Sequence, residues 1–288
     1  MSRKGTSDKP SSKKKGKVEV EAVHHPFDSQ FLTEYANLLT MLIERGYEMG
    51  GMLGVKVYIP TEGFEYTDED REDGIVKGSG NIYYKVSIDP IKTQRKLTEK
   101  YGGLEAFSLR LHHIDTRLDM LVFYLLAEAE SGSATERKQL SEDHVKRYVD
   151  IFDREQSINR LLLITRVKPS ADALTIINNA NNMLRASKPL CLVRLIPSTF
   201  FYFNPARWFL QPKEFVIHRD EERETLLEEL DVPPHLKGKE DSLLPYMSEN
   251  DPLALYYGAA VNDVVSFVRA EPRTVYVRLI VPDFDTQF

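Results

Sequence analysis

The sequence predicts an α+β fold in two domains, and three observations point there. The chain has 288 residues, more than a single domain usually takes. Across 161–196 an apolar β-rich run, a helix-patterned stretch and a second apolar run follow in turn, the order of a strand–helix–strand crossover unit. Near the other end a short aromatic run and a glycine lead into two strand-like runs, at about 264–268 and 274–281.

Taken in order, the elements begin with a helix capped by Asp28 or Ser29. Phe31, Leu32, Tyr35, Leu38, Leu39 and Leu42 recur at helical spacing there, and Gly46 is its stop. Residues 55–59 alternate as a strand does, and Pro60 ends it. The stretch 61–80 is acidic and glycine-bearing and reads as an exposed loop or insertion. A strand follows at 82–88, then mixed helical signals over 91–101 and 104–111. The continuous apolar run 120–126 reads as a buried strand, and Ser131–Thr135 reads as a loop. A helix is expected at 143–153, a buried strand at 161–167 and a turn at Lys168-Pro169-Ser170, with Ser170 capping the next helix. In that helix Leu174, Ile177, Ala180 and Leu184 make the apolar face. A strand is expected at 190–196 and a boundary at about 197–211. Beyond it come an acid-led helix at 220–230 and a Pro-Pro turn at 233–234.

Composition is ordinary for a globular chain, with 42% hydrophobic and 28% charged residues. The one cysteine, Cys191, lies in an apolar run; it can form no internal disulfide and reads as a small buried hydrophobe in a reducing compartment. No apolar stretch reaches the ~18–20 residues of a membrane span, so no membrane partner is expected. The net charge of −6 is unevenly spread. Residues 1–17 hold seven Lys or Arg against one Asp, or +6, which leaves −12 on the remainder. A body that acidic repels phosphate, so any contact with nucleic acid must be local. The tail, 1–26, is too polar to fold alone; its run Lys13-Lys14-Lys15 suits nuclear import or nucleic acid, or is simply solvated.

Four motifs occur in a telling order: Met41-Leu42-Ile43-Glu44-Arg45-Gly46-Tyr47, Arg166-Val167-Lys168-Pro169-Ser170-Ala171, Gln211-Pro212-Lys213 before the acidic helix, and the block from Asp251-Pro252-Leu253-Ala254-Leu255-Tyr256-Tyr257-Gly258 to Arg269. Together they resemble the fifth common subunit of eukaryotic nuclear RNA polymerases, a family that has an archaeal counterpart. The resemblance covers about 31–281 and is strong only at the end. It implies an N-terminal nuclease-like α/β jaw domain at 27–197 and a small C-terminal α+β assembly domain at 205–288. It further implies a non-catalytic subunit that anchors to the largest polymerase subunit beside small common subunits, in the nucleus. The jaw would lie over downstream duplex DNA, facing it through Lys168, Pro169, Ser170 and Ala171. Tyr256, Tyr257, Val264, Val265, Phe267 and Arg269 are the candidates for the subunit interface, shared with the domain's own core. The chain departs from the family where it has Trp208 and Glu214 in place of histidines, Asn262 in place of a glycine, and a shorter final turn. One reading of these departures is a copy devoted to one polymerase class, such as RNA polymerase I in the nucleolus.

Two rivals belong to other classes. A free transcription adaptor would use the assembly domain alone. A metal-dependent nuclease would need clustered carboxylates and a lysine. The one Glu-x-Lys, Glu136-Arg137-Lys138, follows a loop and lies outside any apolar strand. The adjacent pairs His24-His25 and His112-His113 point apart, a poor geometry for one metal. No phosphate loop or nucleophile elbow is present, and neither catalytic residues nor a cofactor is expected.

Overall fold

The structure, a computed structural model, describes residues 27–125, 140–155, 157–187, 191–207, 212, 214–231, 243–269 and 274–282. The basic tail, the loop at 131–135, Glu136–Lys138, Trp208, Gln211, Lys213, the Pro-Pro pair and the turn at 270–273 lie outside them.

Helix α1 (Ser29–Glu44) starts where Asp28 accepts the Phe31 N–H at 2.7 Å. It buries Phe31, Leu32, Tyr35, Leu38, Leu39 and Leu42, the periodic set, and Gly46 follows at φ +88°. Next come β1 (Val55–Tyr58), the one-turn helix α2 (Asp68–Glu72), β2 (Ile75–Lys77) and β3 (Tyr83–Val86), which pair in the antiparallel order β1-β3-β2. The acidic stretch is therefore more than a loop. Thr67 and Asp70 cap α2 reciprocally, and Arg71 on it bonds Glu44 at 2.6 Å, so part of the charge run is pinned to α1.

Helix α3 (Pro90–Tyr101) precedes β4 (Ser108–His112) and β5 (Asp119–Leu125). Residues 104–111 are thus a 3-10 turn and a strand, not helix, because Leu109 and Leu111 alternate inward with period two. After β5 come α4 (Glu142–Arg154), β6 (Ile158–Thr165), α5 (Ala171–Ser187) and β7 (Leu192–Pro197). These strands form one sheet in the order β4-β5-β6-β7, parallel across β5-β6-β7. Helix α1 covers one face, over Val122, Leu162, Ile164 and Ile196, while α4 and α5 cover the other, over Leu121, Leu161, Leu163 and Val193. In α5 the buried positions are Ala173, Ile177, Asn181 and Leu184; Leu174 is 43% exposed. The face is rotated because Asn181 turns inward and binds the backbone N–H and C=O of Val193, occupying hydrogen-bonding groups of the edge strand β7.

Residues 198–207 make two 3-10 turns, the first of which packs back on α1, with Asn37 Nδ2 donating to the Phe201 carbonyl at 2.8 Å. The remaining elements are β8 (Glu214–His218), α6 (Asp220–Glu229), β9 (Tyr246–Ser248), α7 (Pro252–Tyr257), β10 (Val264–Val268) and β11 (Val275–Val281). Their sheet runs β8-β10-β11-β9, with β9 parallel to β11 and the rest antiparallel. The whole is α+β, as expected.

Gly74 closes the turn into β2 at φ +80°, and a Cβ there would sit 2.7 Å from the Val86 carbonyl oxygen. Gly74→Ala meets both penalties and is expected to cost at least ~1 kcal/mol, read as a lowered urea midpoint with an unchanged slope.

Candidate subunit interface

The motif around α7 is built as its residue types dictate. Asp251 accepts the Leu253 N–H at 2.8 Å, Pro252 takes the first helical position, and Gly258 ends the helix in the left-handed region. A helix end leaves its last carbonyls without partners. Here they find guanidinium groups from the first part of the chain. Arg45 donates through Nε to the Tyr256 carbonyl at 2.7 Å and through Nη2 to the Leu255 carbonyl. Arg160 reaches the Gly258 carbonyl at 3.2 Å, and Arg194 the Ala259 carbonyl at 2.8 Å. Arg194 also pairs with Glu249 at 2.7 Å. Burial, with the cations of Arg160 and Arg194 nearby, brings Arg45 down to about 10.

Register explains the convergence. Met120 pairs with Arg160, and Arg160 pairs with Leu192, so Arg160 and Arg194 project from one sheet face, beyond the cover of α1. Tyr256 completes the seam. It is 1% exposed, belongs to the same apolar cluster as α1, and its hydroxyl accepts from Asn204 Nδ2 at 3.0 Å. Burial pushes the Tyr256 phenol well above its ordinary value.

On the C-terminal sheet, four rings stack in a row. Tyr257 lies on Phe215 at 4.8 Å between centroids, Phe215 on Phe267 at 6.1 Å, and Phe267 on Tyr276 at 5.6 Å, all within 13° of parallel. The Arg269 guanidinium covers the last ring at 4.8 Å. Cross-strand register sets the row, since Phe267 pairs with both Phe215 and Tyr276.

Residues 203–279, which span this row and all of α7, match RNA polymerase Rpb5, C-terminal domain. This stretch is an Rpb5 C-terminal domain, the mark of an RNA polymerase subunit. This subunit therefore works in transcription, assembled with other chains into a DNA-directed RNA polymerase. No curated protein matches the sequence.

The sequence-derived interface set separates in the structure. Tyr256, Val264, Val265 and Phe267 are buried within the chain itself, Val264 and Val265 completely, so their side chains are committed to its own packing. Tyr257 is half-buried in the aromatic row, and Arg269 is exposed at its end. Glu214 opens β8 and is exposed. At the tip, Lys168 and Ala171 are exposed and Pro169 and Ser170 half-buried. The Ser170 N–H is not open to a phosphate, because it donates to the Leu140 carbonyl at 3.1 Å; Ser170 Oγ caps α5 through the Ala173 N–H. Arg166, at the root of the tip, holds the fully buried carboxylate of Glu34 through contacts of 3.3 Å to both oxygens.

His112 and His113 do point apart: His112 meets Asp119 at 2.8 Å, and His113 Nδ1 accepts the N–H groups of Asp115 and Thr116. Among the described residues no three metal-ligating side chains cluster. Cys191 is buried just before β7. Sequence reasoning missed Arg45, Arg71, Arg160, Arg194, Asn204 and Glu249. The signal for two of them is present: Arg160 and Arg194 each interrupt an otherwise apolar run, where a charge requires a partner.

Burial raises the Glu34 pKa above 4.5, with Arg166 opposing the rise. Arg166→Met strands that carboxylate and should cost ~3–5 kcal/mol at neutral pH. A folded-state pKa above the unfolded one means the folded protein binds the proton more tightly. The variant should therefore regain stability as pH falls from neutrality towards 4.5, visible as a rising urea midpoint relative to wild type.

Proposed function

We propose that this subunit is a rigid, non-catalytic bracket of RNA polymerase. Its C-terminal part, at about 205–288, anchors to the largest subunit beside small common subunits. Its N-terminal part, at about 27–197, forms the jaw over downstream DNA. The observation that carries this reading is the guanidinium seam: three arginines from the first part hold carbonyls at the end of α7 and just beyond it in the second. A bracket needs a fixed angle between its arms, and directional bonds to charged donors provide one. The aromatic row with exposed Arg269 at its end supplies the residue types that dominate protein interfaces. Lys168 and Ala171 present a local DNA-facing tip, with Pro169 and Ser170 shaping it, on a body whose net charge otherwise repels the duplex.

The place of work is the nucleus. Trp208 and Glu214, where the family resemblance leads to histidines, fit a copy specialised for RNA polymerase I in the nucleolus. Affinity purification of the tagged chain tests both the anchor and the class, by which largest subunit comes with it. Replacing Arg269 and Tyr276 together by alanine should lower that recovery about tenfold, a loss of ~1.4 kcal/mol. Full recovery, or a chain that runs mostly free, would count against the anchor and favour the adaptor reading. For the jaw, Lys168→Glu should flatten the salt dependence of elongation-complex stability by ~0.9 in log–log slope, the mark of one lost phosphate contact. An unaltered slope would remove that contact.

A further inference from the structure

Between the two parts of the chain lies a cleft of about 920 Å³. Arg45, Tyr47, Arg160, Phe215 and Tyr257 are among the residues that line it. The arginines of this region are not all paired. Arg71 has Glu44, Arg194 has Glu249 and Arg219 has Asp263. Among the described residues Arg45 and Arg160 have no carboxylate within ion-pair distance; both bind only carbonyls. A carbonyl carries a partial charge and cannot neutralise a cation. Arg160 is the more available of the two. It spends one N–H of its fork on the Gly258 carbonyl and is half-buried on the cleft wall. Burial, and then the cation of Arg219, lower its pKa, with Tyr47 and Asp263 opposing the drop.

We infer that this cleft receives an acidic side chain of a partner polypeptide, with Arg160 as its counter-ion. The exposed lining residues select the source. Asp115, Glu221 and Glu222 stand on the solvent side and would repel a chain of phosphates. A single carboxylate on an apolar stem passes such a rim, and Phe215, Ile217 and Leu118 offer surface for the stem. A carboxylate also matches the guanidinium fork in shape. Nothing in this inference requires the partner to be the largest polymerase subunit, so its failure and that of the anchor are separate.

The test is a solution NMR titration of the purified full chain with a short end-capped peptide that carries one glutamate between leucines, with inorganic phosphate and a short DNA duplex as parallel arms. Saturable shifts at Arg160, Tyr47 and Thr116 with the peptide are expected. Arg160→Gln should weaken that binding about tenfold, and Arg160→Lys, which keeps the charge and loses the fork, should weaken it less. If Arg160→Gln does not fold, Thr116→Glu carries the test, since an added anion on the exposed lining should weaken the peptide to a similar degree. No shift with the peptide, wild-type binding in Arg160→Gln or in Thr116→Glu, or saturable shifts with phosphate or duplex alone would each overturn the inference.

Discussion

Three guanidinium groups at the C-terminal end of one six-residue helix, on carbonyls of its last residues and of Gly258 and Ala259 just beyond, hold this molecule's geometry. The carbonyls of α7 need donors because the helix ends inside the protein, and a buried acceptor left bare costs ~1–3 kcal/mol. Arg45, Arg160 and Arg194 supply those donors from the end of α1, from β6 and from β7, elements that otherwise belong to a different sheet and core. The cations also sit at the negative end of the helix. Burying them is expensive, and an apolar seam of equal area would bind as well. What an apolar seam would lack is direction: hydrogen bonds tolerate little rotation, so the two parts of the chain meet at one angle.

The rest of the architecture arranges itself around that constraint. Gly258 is required twice, for its left-handed backbone and because the Arg45 guanidinium lies 3.4 Å from where a Cβ would be. Tyr256 is buried in the α1 cluster, while Tyr257 packs on the edge of that cluster and stacks on Phe215, so adjacent residues serve the seam and the outer aromatic row. Arg71 carries the acidic segment onto the same region, donating to Glu44 and to the Ala206 carbonyl. The seam is thus polar at its centre and apolar around it.

Local patterns in the sequence reveal much of this fold. Helix α1 and strands β5 to β7 follow from periodicity, because each buries its apolar set against one neighbour at a fixed spacing. The short elements are harder to read. Helix α2 consists of charged residues with no buried side chain; it exists because Thr67 and Asp70 cap it, a signal smaller than the charge run around it. The α5 face differs from the expected one because a polar residue, Asn181, is turned inward, and hydropathy alone assigns it to the surface. The interface candidates show a deeper limit. Val264, Val265 and Phe267 carry the right composition for a contact surface, yet composition is the same for a surface and a core. Two arginines of the seam, Arg160 and Arg194, are visible as misplaced charges, but the partners of the seam arginines lie 55 or more residues away in sequence, up to 211 for Arg45 and Tyr256, and only the folded chain brings them together.

The division of labour at α7 bears on how freely this chain could trade its parts. Its terminal carbonyls and the guanidiniums that answer them are encoded far apart in the gene. A C-terminal unit grafted onto a foreign N-terminal half would arrive with acceptors and no donors, while the abandoned half would keep three orphan cations. Chimaeras therefore need those arginines to travel with the helix they serve, and drift on one side is bound to drift on the other.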